Sequence, residues 1–222
     1  ELLARMLPDS GPLDRLLGAA RPDSHTYAPR DPALVLGAPL GEAPDQQVDL
    51  SARMALLGPL RDAVLLLGLG PGVHFLPAFA HPVQHQPALL FSCLLVGATY
   101  VHVPPGYYSQ LVREPLNFPV HVLGLGPRLR DELIAEPRRH FPTVQLWITD
   151  LFTAQRTMAW EDFEKKSALG TAKVPGMVLH ASADAGGGLL FSARRSGAPP
   201  SAVELWPAPG CAFQLEDPAR PG

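Results

Sequence analysis

The stretch that most constrains how this chain can fold runs from Asp31 to Arg53. It opens on the apolar run Ala33–Leu36, passes through a Gly/Pro loop between Gly37 and Gln47, and closes on an amphipathic run introduced by Ser51. The first run has strand length, and Ser51 stands where a helix N-cap is expected. A strand, a glycine-bearing loop and a helix together form a layout whose backbone N–H groups can gather around an anion. The side chains that would complete such a cradle are missing. No Ser, Thr or Lys lies between Gly37 and Gln47, and the only charged residues there are Glu42 and Asp45.

Beyond this stretch the chain alternates apolar runs with Gly/Pro breaks. Ala63–Leu69 (AVLLLGL) is predicted to be a strand buried on both faces and ended by Gly70-Pro71-Gly72. Val73–Pro82 reads as a proline-broken loop leading to a helix at Gln84–Val96, with Gly97 as its C′ residue. Strands are expected at Ala98–Val103, Val120–Leu123 and Thr143–Ile148. Helices are expected at Tyr107–Arg113 and at Pro127–Ala135, where Pro127 suits a first turn. Strands and helices alternating at this spacing predict an α/β body with a parallel or mixed sheet flanked by helices. After Asp150 the pattern changes. A charged helical stretch at Trp160–Lys166 precedes strands predicted at Val174–His180, Gly188–Ala193, Ala202–Trp206 and Cys211–Leu215. The expected organisation is a helical lead-in and connector over 1–30, an α/β body over 31–150, and a β-rich part of the same domain over 151–222.

Composition bounds the function. With 222 residues, 46% of them hydrophobic, the chain can build one good core. Pro occurs 26 times in 222, more than twice the usual roughly 5%, yet it is scattered between apolar runs. That means short elements and stiff connections. A net charge of −3 gives no electrostatic footprint for nucleic acid. The runs Ala63–Ala80 and Ala88–Val101 are broken or too short for a membrane span of about 20 residues. Glu1–Pro8 lacks the form of a secretory signal. The expected setting is cytoplasmic, and the absence of an initiator Met suggests an internal segment of something larger. Cys93 and Cys211 leave the disulfide question open.

Several clusters invite chemistry. His81 and His85 are spaced i, i+4, with His74 upstream, but Pro82 interrupts the pair and no nearby Cys, Asp or Glu completes a ligand set, so no metal is expected. GLGPGVH at Gly68–His74 and GLGPRLR at Gly124–Arg130 each lack the third glycine of a dinucleotide fingerprint and read as strand-ending turns. Glu161–Lys166 reads as a solvated helix face. No pattern assembles a nucleophile with a base.

Five segments carry a resemblance to a known family. They are ALVLGAPLGEAPDQQVDLS, FLPAFAHPVQHQPALLFSCLLVGATYVHVPP, HVLGLGPRLRDEL, VLHASADAGGGLLFS and PSAVELWPAPGCAFQLEDPARPG. In order, they resemble stretches of the adenylate-forming superfamily: acyl-CoA synthetases, luciferase and the adenylation domains of nonribosomal peptide synthetases. The resemblance runs over about Asp31–Gly222 and implies the latter part of the large N-terminal domain of those enzymes. Asp31, Ala33, Gly41, Pro44 and Ser51 fit the nucleotide loop, while Asp45 stands where the family carries Lys. His180-Ala181-Ser182-Ala183-Asp184 stands where the family has Tyr-Gly-x-Thr-Glu. By that resemblance His180 and Asp184 would carry any residual adenine and metal contact, and Ala183 has lost the phosphate-touching hydroxyl. The alternative is a strand end with a Gly-rich turn. The same resemblance puts His81, His85, Gly186 and Gly187 on the wall of an acyl pocket. The family's ribose-binding Asp and its small domain with the catalytic Lys are expected beyond Gly222.

Binding MgATP and driving acid attack at the α-phosphorus call for cations and hydroxyls at the developing negative charge. The expectation is therefore a catalytically inactive, pseudo-adenylation subdomain with a structural or docking role beside the neighbouring domains of a larger synthetase, without cofactor. Two rivals remain: a divergent ATP-dependent ligase, which would use ATP and magnesium with Asp184 on the metal, and a non-catalytic module that binds an acyl ligand.

Overall fold

The Asp31–Arg53 stretch folds as a hairpin followed by a helix. Strand β1 (Pro32–Gly37) pairs antiparallel with β2 (Gln47–Ser51), Leu34 opposite Leu50 and Gly37 opposite Gln47. The structure is a computed structural model that describes residues 28–37, 47–79, 86–114, 116–136, 141–150, 162–163, 165–171, 174–182, 187–194 and 206–211. Ser51 ends β2 with extended backbone, and its hydroxyl accepts the Met54 N–H at 3.3 Å, opening α1 (Ala52–Arg61). The N-cap expected at Ser51 is present, but β2 fills part of the stretch read as loop, and the helix runs on past Leu57.

The run Ala63–Leu69 is not a strand. Helix α1 continues into a π-helical turn at Asp62–Leu66, and the buried positions Ala52, Ala55, Pro59, Ala63 and Leu66 keep helical spacing. Val64 and Leu65 are 53% and 60% exposed, which a strand buried on both faces would forbid. When every residue of a run is apolar, periodicity carries no information that separates helix from strand. Consequently Gly68–Gly72 follows a helical turn, not a strand.

The strand that occupies this place in the sheet is β3 (His74–Pro77), inside the stretch read as a proline-broken loop. It is followed by α2 (Gln86–Val96), β4 (Thr99–Tyr100), a 3₁₀ turn (Pro105–Tyr107), α3 (Tyr108–Arg113), β5 (Val122–Gly124), α4 (Pro127–Ala135), β6 (Leu146–Asp150) and α5 (Ala168–Thr171). Strands β7 (Gly176–Ser182), β8 (Gly187–Arg194) and β9 (Trp206–Pro207) close the described chain. Gly97 follows α2 at φ +71°, the left-handed conformation expected of a C′ glycine. The run expected from Thr143 begins its pairing at Leu146. Most of the strand expected at Ala202–Trp206, and Cys211–Leu215 beyond its first residue, lie outside the described residues.

The main sheet has the order β4-β3-β5-β6-β7-β8-β9. Its first five strands are parallel, and β8 and β9 are antiparallel. The fold class is thus α/β, a mixed sheet with an antiparallel β-rich end. Side chains alternate across it. Leu76, Leu123 and Trp147 face α3, α4 and α5 in one core, while Phe75, Val122 and Ile148 face the π turn and α2 in the other. The result is three layers, helix–sheet–helix. Among the described residues no helix is long and apolar enough to cross a membrane.

Candidate functional site

In a parallel α/β sheet the loops leaving the carboxyl ends of the strands surround the crevice where ligands bind. At the β3 end the chain leaves Pro77 through Ala78 and Phe79. At the β5 end it leaves Gly124 through Leu125 and Gly126 into α4. These ends lie side by side, since Pro77 pairs with Gly124. A Cβ on Gly126 would stand 2.8 Å from the Ala78 carbonyl oxygen and 3.2 Å from the Phe79 Cα, so only glycine lets the two loops approach this closely.

Between them is a cleft of about 360 Å³, lined by Ala78, Phe79, Pro105, Tyr108, Gly126, Pro127 and Arg128. Tyr108 is held there from α3. Its ring is buried, and its hydroxyl donates to the Ala78 carbonyl at 3.1 Å. Burial raises the Tyr108 pKa above the ordinary phenol value, and Arg128 opposes that shift, so the hydroxyl stays a neutral donor. Arg128 is exposed on the first turn of α4, whose leading N–H groups point out of the helix. An apolar cleft with one guanidinium at its rim can take a small acid whose body is apolar. Deeper under β5, Thr149 is fully buried and donates to the Leu125 carbonyl at 2.8 Å, which fixes the loop from below.

Of the candidate site residues read from sequence, His180, Gly187 and His74 fall within the described residues. Gly41, Pro44 and Asp45 lie outside the described residues, within the connection between β1 and β2. His81 and His85 also lie outside them, in the connection from β3 to α2, as do Asp184 and Gly186, between β7 and β8. His180 is in β7, with its backbone opposite Leu190, and Gly187 opens β8 opposite Ser182. The ladder slips between His180 and Ala181, immediately before the Gly-rich turn. β3 and β7 point the same way and stand three strand spacings apart, about 14 Å. The carboxyl ends of β3 and β7 are therefore on the same edge of the sheet without being adjacent. His74 starts β3 at the amino edge of the sheet, where its ring stacks on His121 at 5.6 Å and its backbone N–H donates to His121 Nδ1 at 3.0 Å.

Phe79, Tyr108 and Arg128 were not singled out from sequence. The available signal was positional: Phe79 and Gly126 each stand two residues after a strand end, but β3 was hidden inside an apparent loop. Tyr108 comes from a helix with no local mark of a site.

No protein-family model matches the sequence, and neither does any curated protein. Solved structures do match. The chain superposes on VinN, solved with L-aspartate, with a TM-score of 0.64 at 15% identity, covering 89% of this chain and 49% of that one. It superposes on the O-succinylbenzoate coenzyme A synthetase MenE from Bacillus subtilis, solved with ATP and magnesium, with a TM-score of 0.64 at 11% identity, over 95% of this chain and 43% of that one. For ATP-bound MatB from Rhodopseudomonas palustris the values are 0.59, 13%, 84% and 36%. At such identities the likeness is one of fold, and this chain spans less than half the length of the structures it matches.

Proposed function

We propose that this chain, which has the adenylate-forming fold over part of the length of its structural relatives, serves as a non-catalytic adenylation-like subdomain. Its role would be structural or docking, within a larger acyl- or aminoacyl-activating synthetase. One observation carries the reading. At the place the resemblance gives to the nucleotide loop, the connection between β1 and β2 contains Glu42 and Asp45 and no Ser, Thr or Lys. Two carboxylates repel a triphosphate where the chemistry needs cations and hydroxyls. Ala183 adds a second missing hydroxyl, before Asp184. The expected outcome is no heat of MgATP binding by calorimetry and no acid-dependent pyrophosphate exchange. A dissociation constant at or below the millimolar range would overturn the reading. Activity lost in Asp184→Ala would favour the ligase alternative.

The cleft supports a second reading, a non-catalytic module for an apolar acid. Its shape and the rim position of Arg128 are the supporting observations. A ligand that binds only the native state raises the thermal midpoint. Some member of a panel of aromatic and branched-chain carboxylic acids is expected to raise it, with the gain reduced in Arg128→Ala. A flat panel would remove this reading and leave the first intact.

A further inference from the structure

The chain leaves β4 through Val101, His102 and Val103 and turns into α3 at Pro104-Pro105-Gly106-Tyr107. Pro104 has φ −61° and ψ 143°, the polyproline II conformation. Its carbonyl accepts the Tyr107 N–H at 2.9 Å, and the Pro105 carbonyl accepts the Tyr108 N–H. A closed turn of this kind holds its first and fourth residues within about 7 Å of each other. Pro104, Pro105 and Gly106 are exposed, and Tyr107 is 59% exposed. A Cβ added at Gly106 would meet nothing within 4 Å, so that side of the turn is open to a partner. The next residue does the opposite: Tyr108 is buried, and its hydroxyl is engaged by the Ala78 carbonyl. On the other flank Val101 and Val103 pack against the core. The turn is thus clamped at both ends while its prolines and Tyr107 meet solvent.

Pro105 and Tyr108 line the cleft described above, and Pro104 and Tyr107 stand outside that lining. Neither the core nor the cleft therefore accounts for a large aromatic ring held in the open beside two prolines. Polyproline II segments dock in aromatic-lined grooves because their backbone is already extended and little freedom is lost on binding. Tyr adds a large contact area at the centre of such an interface. No Asp, Glu, Lys or Arg occurs between Gly97 and Val112, so a partner must read ring surfaces and hydrogen-bonding groups, not charge. Three residues after Pro104 and Pro105 stand Tyr107 and Tyr108, which excludes grooves that demand a proline at that spacing. We propose that Pro104-Pro105-Gly106-Tyr107 is a docking motif for a separate protein module, whose aromatic-lined groove takes the proline pair and the Tyr107 phenol together. The motif goes beyond both readings given above and depends on neither nucleotide nor acid binding.

The test uses the protein at its natural length and a panel of WW domains, small modules with aromatic-lined proline grooves. Each domain carries a fluorophore and is titrated by anisotropy with the protein and, in parallel, with a synthetic peptide of residues 101–110. At least one domain is expected to bind both, and to bind the protein at least as tightly as the peptide, because the turn is preformed. Pro104→Ala and Tyr107→Ala should each weaken binding by about tenfold or more, Tyr107→Ala without change in the thermal midpoint. Arg113→Ala, at the far end of α3, should bind as the unsubstituted protein does. Binding by no member of the panel would overturn the proposal, and so would a peptide that binds while the folded protein does not. Undiminished binding of Tyr107→Ala would overturn it as well. An SH3 domain that binds as tightly as the best WW domain would overturn it in favour of a general proline contact.

Discussion

Gly126 shows how much a single missing methyl group decides. Its extended backbone, at φ −86°, is open to any residue, so conformational freedom is not the constraint. The constraint is the Ala78 carbonyl and the Phe79 backbone, which leave no room for a Cβ. Gly126→Val must push two backbones apart, at a cost of about 1–3 kcal/mol, the range for overpacking a filled site. Its denaturation midpoint should fall accordingly, while Gly106→Ala, with nothing within 4 Å of the added atom, should leave it nearly unchanged. Equal midpoints for Gly126→Val and the unsubstituted chain would sink this account. The sequence made Gly124-Leu125-Gly126-Pro127 legible as the end of a strand and the start of a helix. It could not make legible that residue 78, nearly fifty positions earlier, lies against it.

At the scale of elements, the lesson is Ala63–Leu69. Seven residues without a charge satisfy a buried strand and a central helix equally, and the continuation of α1 decided for helix. The two readings differ in what substitution does. Leu66 is buried and Leu65 is 60% exposed, so Leu66→Ala should cost about 2–5 kcal/mol and Leu65→Ala within about 0.5 kcal/mol in the 222-residue chain. A strand buried on both faces would make the two losses similar, and urea denaturation of the pair distinguishes them. The same ambiguity hid β3, because a four-residue strand ending in Pro77 presents a loop's composition. Pro77 is the strand's last residue. Elements with an end signal fared better: Pro127 at the start of α4, Gly97 after α2 and Ser51 before α1 all stand where their chemistry requires.

At the scale of the molecule, the core between the sheet and α2 sets its response to alkali. Cys93 is fully buried among Phe75, Leu89 and Val122, and burial pushes its thiol up to about 12. Burial, with smaller contributions from Cys93 and Tyr108, lifts the Tyr100 phenol to about 12 as well. In the unfolded chain these groups ionise near their ordinary values of about 8.5 and 10. Folded pKa values above unfolded ones give a stability that is whole below pH of about 8.5 and is lost as pH rises toward 12. The urea midpoint should therefore fall between pH 8 and pH 10.5, and less steeply in Cys93→Ala, while native Cys93 should resist thiol reagents at pH 8. An unaltered slope in Cys93→Ala would show that this thiol is not what the alkaline limb reports.

The sequence by itself determined the α/β class, the succession of most elements, the capped helix after Gly37–Gln47 and the loss of cationic and hydroxyl groups from that connection. These are local facts, set by which residues stand next to one another. Only the tertiary structure decided which apolar run entered the sheet, which loops meet at its carboxyl edge, and which face of α1 and α2 remains uncovered. Those outcomes depend on contacts between residues far apart in the chain, where burial free energy does not distinguish one apolar run from another until the layers have been assembled.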